Sequence, residues 1–269
     1  MAHDDIGALR THISDAEWQA RCDLAALYRL VALHGWDDLI FTHISARVAA
    51  RDSWVRQADG SYGPGETDHF LINPYGMFFA EMTASSLVKI DSEGRAVGES
   101  QAMVNPAGFT IHSAIHAAVP QAHYVVHLHT DAMTGVSAQK DGLLPLSQNA
   151  LLIRPQLAYH AYEGVALDLE ERGRIVNDLG GKRFLMLRNH GTLAWGGTAA
   201  EAFTAIYFLE QACRQQIAAL SAGRAGVLEV SPDVQDKVAP LSQGVAFVGV
   251  LVWPGLMRRL AREMPGYDS

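Results

Sequence analysis

Tyr124-Val125-Val126-His127-Leu128-His129 is a short run of β-forming residues in which two histidines stand two positions apart. Successive side chains on a strand point to opposite faces, so His127 and His129 project side by side while Val126 and Leu128 turn into a core. Helical patterns flank the run. Upstream, Phe109, Ile111, Ile115 and Ala118 recur at helical spacing between Gly108 and Val119, and Pro120 stops them. Downstream, a helix is expected from about Thr130 to Ala138.

Farther out, Arg183 to Arg188 and Thr192 to Trp195 read as strands on either side of Asn189-His190-Gly191. Thr198 with Glu201 caps a long amphipathic helix carrying Ala202, Phe203, Ile206, Leu209, Cys213, Ile217 and Leu220. Asp168 with Glu171 opens another, ending at Gly180-Gly181. Toward the N-terminus, Ser14 with Glu17 forms a capping box ahead of a helix reaching Gly35. Leu39 to Val48, His69 to Asn73 and Ser86 to Asp91 are expected strands, with a mobile flap from Arg51 to Thr67. Ser221 to Pro232 reads as a linker and the rest as a terminal arm with a helix near Leu256 to Glu263. Helices and strands alternate without a regular parallel pattern, which predicts a mixed sheet covered by helices on both faces. One domain over 1–269 is expected, with its core at about 16–220.

Of the 269 residues, 49% are apolar, enough for a substantial core. Lys and Arg number 21 against 29 Asp and Glu, and no basic stripe is present to neutralise a phosphate backbone, so nucleic acid is not an expected partner. The apolar run Val245 to Trp253 is under half a membrane span and ends at Pro254, so no membrane is expected either. The start, Met1-Ala-His-Asp-Asp-Ile-Gly7, has neither a basic lead nor an apolar centre, and Cys22 and Cys213 both lie in helical patterns. A soluble cytoplasmic protein with buried thiols is expected.

The chemistry is expected at the histidines. Neutral imidazoles from His127, His129 and a strand-end His190, aimed by the tight turn at Gly191, make three nitrogen ligands with a fourth position open, the pattern of a catalytic zinc site. Manganese, cobalt and iron suit the same donors, and an isolated His-x-His also fits a solvated sheet face. His112 and His116 stand one helical turn apart and read as a partly exposed helix face. Lys89 reads as a solvated strand lysine with an anion contact as the alternative.

The segment from His123 to Ser137, followed by Leu187-Arg-Asn-His-Gly191, resembles the metal-binding blocks of the class II aldolase/adducin family. Leu39-Ile-Phe-Thr-His-Ile-Ser-Ala-Arg47, Leu71-Ile-Asn-Pro-Tyr-Gly76 and Ala107-Gly-Phe-Thr-Ile-His-Ser-Ala-Ile-His116 resemble others in the same order. The resemblance covers roughly Ala16 to Leu220. It implies a three-layer α/β/α domain, one divalent metal per chain with zinc as the default, and a homotetramer with sites near subunit interfaces.

The pattern departs at one decisive place. Sugar-phosphate aldolases of the family carry a proton-shuttling glutamate nineteen residues before the first metal histidine, and here that position is Gly108, which has no side chain to carry a proton. The phosphate-binding positions read Pro106-Ala107 and Phe41-Thr42-His43. The branch resembled is therefore the adducin-like one, and the expected substrate is a small unphosphorylated oxo or hydroxy acid or sugar derivative. A metal-dependent lyase of aldolase or decarboxylase type is expected, with His43, His112, and Tyr159 or His160 as candidate catalytic groups returning a proton to the substrate. Asn73, Tyr75, Gly76 and Gly108 are candidate substrate contacts. A non-catalytic scaffold of the actin- and spectrin-binding adducin kind, or a metal-dependent epimerase, is the alternative.

Overall fold

A computed structural model describes residues 3–98, 100, 102–166 and 168–269 of the chain. Met1 and Ala2 of the N-terminal reading lie outside them. In chain order the elements are α1 (His3–His12), α2 (Asp15–Leu33), β1 (His43–Val48), β2 (Trp54–Arg56), β3 (Tyr62–Pro64), β4 (His69–Ile72), β5 (Val88–Ile90), α3 (Pro106–Ala118) and β6 (Tyr124–Leu128). There follow α4 (Asp131–Ser137), α5 (Gln148–Ile153), β7 (Leu157–His160), α6 (Glu171–Leu179), β8 (Phe184–Leu187), β9 (Gly191–Gly196), α7 (Ala199–Leu220), α8 (Pro232–Val238) and α9 (Val245–Glu263).

Seven strands form one sheet in the order β5-β4-β1-β6-β9-β8-β7. Every neighbouring pair is antiparallel except β7 beside β8, which makes the sheet mixed and mainly antiparallel. The period-two alternation sorts the side chains. Ile44, Ala46, Val126, Leu128 and Met186 face a core shared with α2, α4, α5 and α7, while Val125, Leu185, Leu187 and Leu193 face α3 and α6. Helices cover both faces, giving three layers.

Caps fix several boundaries. The Ser14, Thr130, Ser147 and Thr198 hydroxyls each accept a backbone N–H in the first turn of α2, α4, α5 and α7. Other expectations are corrected. Residues 39–42 lie outside β1, and the flap expected at 51–67 contains the hairpin of β2 and β3. Glu17 does not close a capping box with its side chain; it is buried and bound to Arg21 and Lys89. Lys89 is thus a buried ion-pair partner instead of a solvated strand lysine.

The C-terminal helix runs from Val245 straight through Pro254 to Glu263. Its close approach to α7 needs Gly249, where a Cβ would stand 2.7 Å from the Ala200 carbonyl oxygen. Pro232–Glu263 is, by length and composition, long and apolar enough to cross a membrane, although the sequence pattern broken at Pro254 gave no such stretch. One such helix is weak ground for a membrane assignment. Val245 and Leu260 are buried, whereas Phe247, Val250 and Leu251 are exposed.

Candidate metal centre

Antiparallel pairing brings distant segments to one end of the sheet. His43 at the start of β1 stands opposite His127 near the end of β6, which in turn stands opposite Leu193 of β9. Leu187, ending β8, faces Gly191, so the connecting turn places His190 beside the β6 histidines. Asn189 holds a left-handed conformation (φ 55°) in that turn. Gly191 is required there for a different reason: a Cβ would meet the Leu128 carbonyl oxygen at 2.5 Å and the His129 ring at 2.8 Å.

His127, His129 and His190 each offer a nitrogen, and these atoms all lie within 4.8 Å of one another. The Nδ1 of His127 lies 3.1 Å from the Thr192 carbonyl oxygen, and the Nδ1 of His129 lies 3.1 Å from an Asp38 carboxylate oxygen. Both partners accept, so both Nδ1 atoms carry a proton, which in a neutral His127 leaves a lone pair on Nε2. The two Nε2 atoms are only 2.9 Å apart. Burial holds His127 well below the usual histidine range, so its Nε2 is an acceptor. Burial also lowers His190, to about 4, with His129 adding to it. Three imidazoles with converging nitrogens, two of them oriented from behind by a carbonyl and a carboxylate, could hold a divalent metal ion.

A second set of histidines backs the trio. The His43 ring stacks on His127 with centroids 4.9 Å apart. Its Nδ1 is 2.9 Å from the Nε2 of His112, whose Nδ1 is 2.6 Å from the Ser45 hydroxyl, which is also 2.7 Å from the Nε2 of His116. His112 and His116 are therefore fully buried and bridged by one hydroxyl, which corrects the expected partly exposed helix face. Gly108 lies on the same helix, and a Cβ there would meet the His43 ring at 2.5 Å. The space that a side chain at position 108 would fill is occupied by His43.

The remaining candidates are placed differently. Asn73 is buried and its Oδ1 is 2.7 Å from the hydroxyl of Tyr28, a core residue that also binds the Ile44 backbone. Tyr75 and Gly76 continue from β4 into a turn beside the start of β1, with Gly76 at φ 101°. Tyr159 is not brought to the trio: its hydroxyl accepts from the Leu143 N–H, and Arg188 lies over its ring at 4.3 Å. His160 lines a small cavity with His190, yet both of its nitrogens are engaged, by Asp178 at 2.7 Å and Glu171 at 3.3 Å.

Asp38 and Ser45 were not among the residues expected from sequence. Asp38 stands 91 positions from His129, in a turn where Leu39 adopts a left-handed conformation (φ 48°), and nothing local marks it. Ser45 does carry a signal, because it shares a strand face with His43.

The chain is similar to several known proteins. A family model described as "Class II Aldolase and Adducin N-terminal domain" matches residues 22–217. A Caulobacter vibrioides protein named "Putative aldolase class 2 protein" is 59% identical over 261 residues, 97% of this chain and 96% of its own length. The alpha-adducin of Rattus norvegicus is 46% identical over 204 residues, 75% of this chain but 26% of that protein. Among solved structures, an aldolase II superfamily protein from Pseudomonas syringae superposes with a TM-score of 0.86 at 44% identity, covering 98% of this chain and 100% of the other. The L-fuculose 1-phosphate aldolase of Glaciozyma antarctica gives 0.74 at 25% identity, covering 92% of each.

Proposed function

Because this chain belongs to the class II aldolase and adducin family, we propose that it is a metal-dependent carbon–carbon lyase acting on a small unphosphorylated oxo or hydroxy acid or sugar derivative. The observation that carries this reading is the convergence of His127, His129 and His190, whose ligand atoms lie within 4.8 Å of one another, beside His43 in the space of a residue-108 side chain. His127, His129 and His190 hold the ion, with zinc as the proposed metal. When bound, it supplies a Lewis acid for neighbouring substrate oxygens and a sink for the electrons released as the carbon–carbon bond breaks.

His43 is the proposed proton carrier in place of the glutamate, with His112 behind it at 2.9 Å. The turn at Tyr75 and Gly76 is proposed to border the substrate. The absence of a phosphate on the substrate is supported at the start of α3, where Pro106 has no N–H and the Ala107 N–H is taken by the Asn105 side chain at 3.1 Å. A homotetramer in the cytoplasm is part of the same proposal, in keeping with two buried free cysteines.

The test is direct. Metal is measured in the purified chain, and a panel of unphosphorylated hydroxy acids, oxo acids and sugars is assayed for released carbon dioxide or aldehyde. About one metal per chain is expected, with turnover lost on chelation and restored by zinc. Turnover confined to sugar phosphates, or a metal-loaded chain inert toward the whole panel, overturns the lyase reading, the second outcome in favour of a binding module.

A further inference from the structure

The hydrogen-bond chain behind His43 has a direction, and the direction can be read from its far end. The Nδ1 of His116 lies 2.8 Å from the carbonyl oxygen of Ala122. A carbonyl only accepts, so His116 carries its proton on Nδ1 and, when neutral, bears a lone pair on Nε2. Burial keeps it neutral, pushing its pKa down to about 3. Ser45 therefore donates its single hydroxyl proton to His116 Nε2 at 2.7 Å. Having spent that proton, the Ser45 oxygen accepts from His112 Nδ1 at 2.6 Å, which leaves a lone pair on His112 Nε2. That lone pair receives the Nδ1 proton of His43 at 2.9 Å. Every link fixes the next.

The result is a bare Nε2 on His43. This nitrogen makes no hydrogen bond among the described residues and lies 2.9 Å from where a Gly108 Cβ would stand. Its ring is stacked on the metal ligand His127, yet His43 is not in the converging set of the trio. An imidazole whose tautomer is imposed from four residues away offers an acceptor to whatever lies at the metal. It attracts a hydroxyl and repels a carbonyl or ether oxygen.

We propose that Ser45 and His116 are positioning residues, anchored on the Ala122 carbonyl, which hold His43 in the Nδ1–H tautomer so that its Nε2 receives a hydroxyl of the substrate. This rests on the reading that the trio and its ion bind substrate oxygens. It narrows the substrate to one with a free hydroxyl next to the oxygens held at the ion, and it assigns the burial of three histidines and a serine on one wall to setting a single lone pair.

Long-range nitrogen-15 NMR of the histidine rings reads the tautomer directly, in the full chain with zinc and without it. His43 is expected to be protonated at Nδ1 and bare at Nε2. In Ser45→Ala the link is cut, and His43 is expected to populate both tautomers; Ser45→Thr, which keeps the hydroxyl, is expected to restore one. His116→Leu removes the anchor from the other end, so it gives the same readout should Ser45→Ala not fold. Titration of the zinc-loaded chain with glycolate and with acetate, which lacks the hydroxyl, supplies the second readout. The preference for glycolate is expected to fall about tenfold in Ser45→Ala, as for loss of one hydrogen bond to a buried partner, with zinc content unchanged. A proton on His43 Nε2 in the native chain, or a glycolate preference indifferent to Ser45, overturns the proposal. The ligand-free tautomer does not depend on turnover, so failure of the lyase reading and failure of this one are distinguishable.

Discussion

His129 and His160 sit at the same end of the sheet, and each has a carboxylate on its Nδ1, Asp38 at 3.1 Å and Asp178 at 2.7 Å. They differ at the other nitrogen. His160 Nε2 meets a second carboxylate, Glu171 at 3.3 Å, and the ring becomes a tie between β7 and α6. His129 Nε2 faces His127 Nε2 at 2.9 Å, in a cluster with His190 that could hold a metal ion. Burial alone does not separate a functional histidine from a structural one, since His160 is as buried as His43 or His127. The separation lies in which nitrogen is left over once the donors and acceptors around the ring are counted.

Exchanging the two residues for alanine tests that contrast most severely. His129→Ala is expected to lower metal content from about one ion per chain to a small fraction, because two imidazoles seldom retain an ion that three hold. His160→Ala is expected to leave metal content intact while lowering the melting temperature, since it takes the imidazole away from the buried Glu171. Asp38→Asn falls between them, with metal affinity down about 10- to 100-fold, as for loss of a carboxylate that orients a ligand. Elemental analysis after dialysis reads all three. Metal loss in His160→Ala would erase the distinction between the two histidines.

How far this was legible in the sequence follows the same division. The trio was readable because His127 and His129 obey the strand alternation and because His190 is locked between Asn189 and Gly191, both local patterns. The order of the central elements was readable from caps and periodicity. Three features were not. Lys89 and Glu17 looked like a solvated lysine and a cap because their pairing crosses 72 positions. The helix through Pro254 was hidden by a residue that normally ends one, and α7 supplies the surface that carries it on. Tyr159 was a candidate for returning a proton to the substrate, whereas in the fold its hydroxyl accepts from the Leu143 N–H. The deepest gap is at position 108. Sequence showed a missing glutamate, whereas the fold shows a glycine that makes room for His43, and only the packing of α3 on β1 connects the two.

That connection yields the smallest of the expected effects and the most specific. Alanine gains up to about 1 kcal/mol over glycine in a helix, less in the first turn where Gly108 stands, so Gly108→Ala taken alone should modestly stabilise α3. Here the new methyl meets the His43 ring at 2.5 Å, and the ring cannot swing aside cheaply: His127 stacks on it, and His112 holds its Nδ1. Overpacking of this kind costs about 1–3 kcal/mol, which outweighs the propensity gain. Gly108→Ala is therefore expected to be less stable than the native chain by up to about 2 kcal/mol in urea unfolding. Its metal content should stay near native, because the three atoms nearest the new methyl all belong to His43 and none to the trio. If displacement of His43 is the whole cause, pairing the change with His43→Ala, which removes the ring, should recover the stability lost to the clash. A Gly108→Ala protein as stable as the native chain would show that the His43 ring moves freely, and would remove the reason given for glycine at this position.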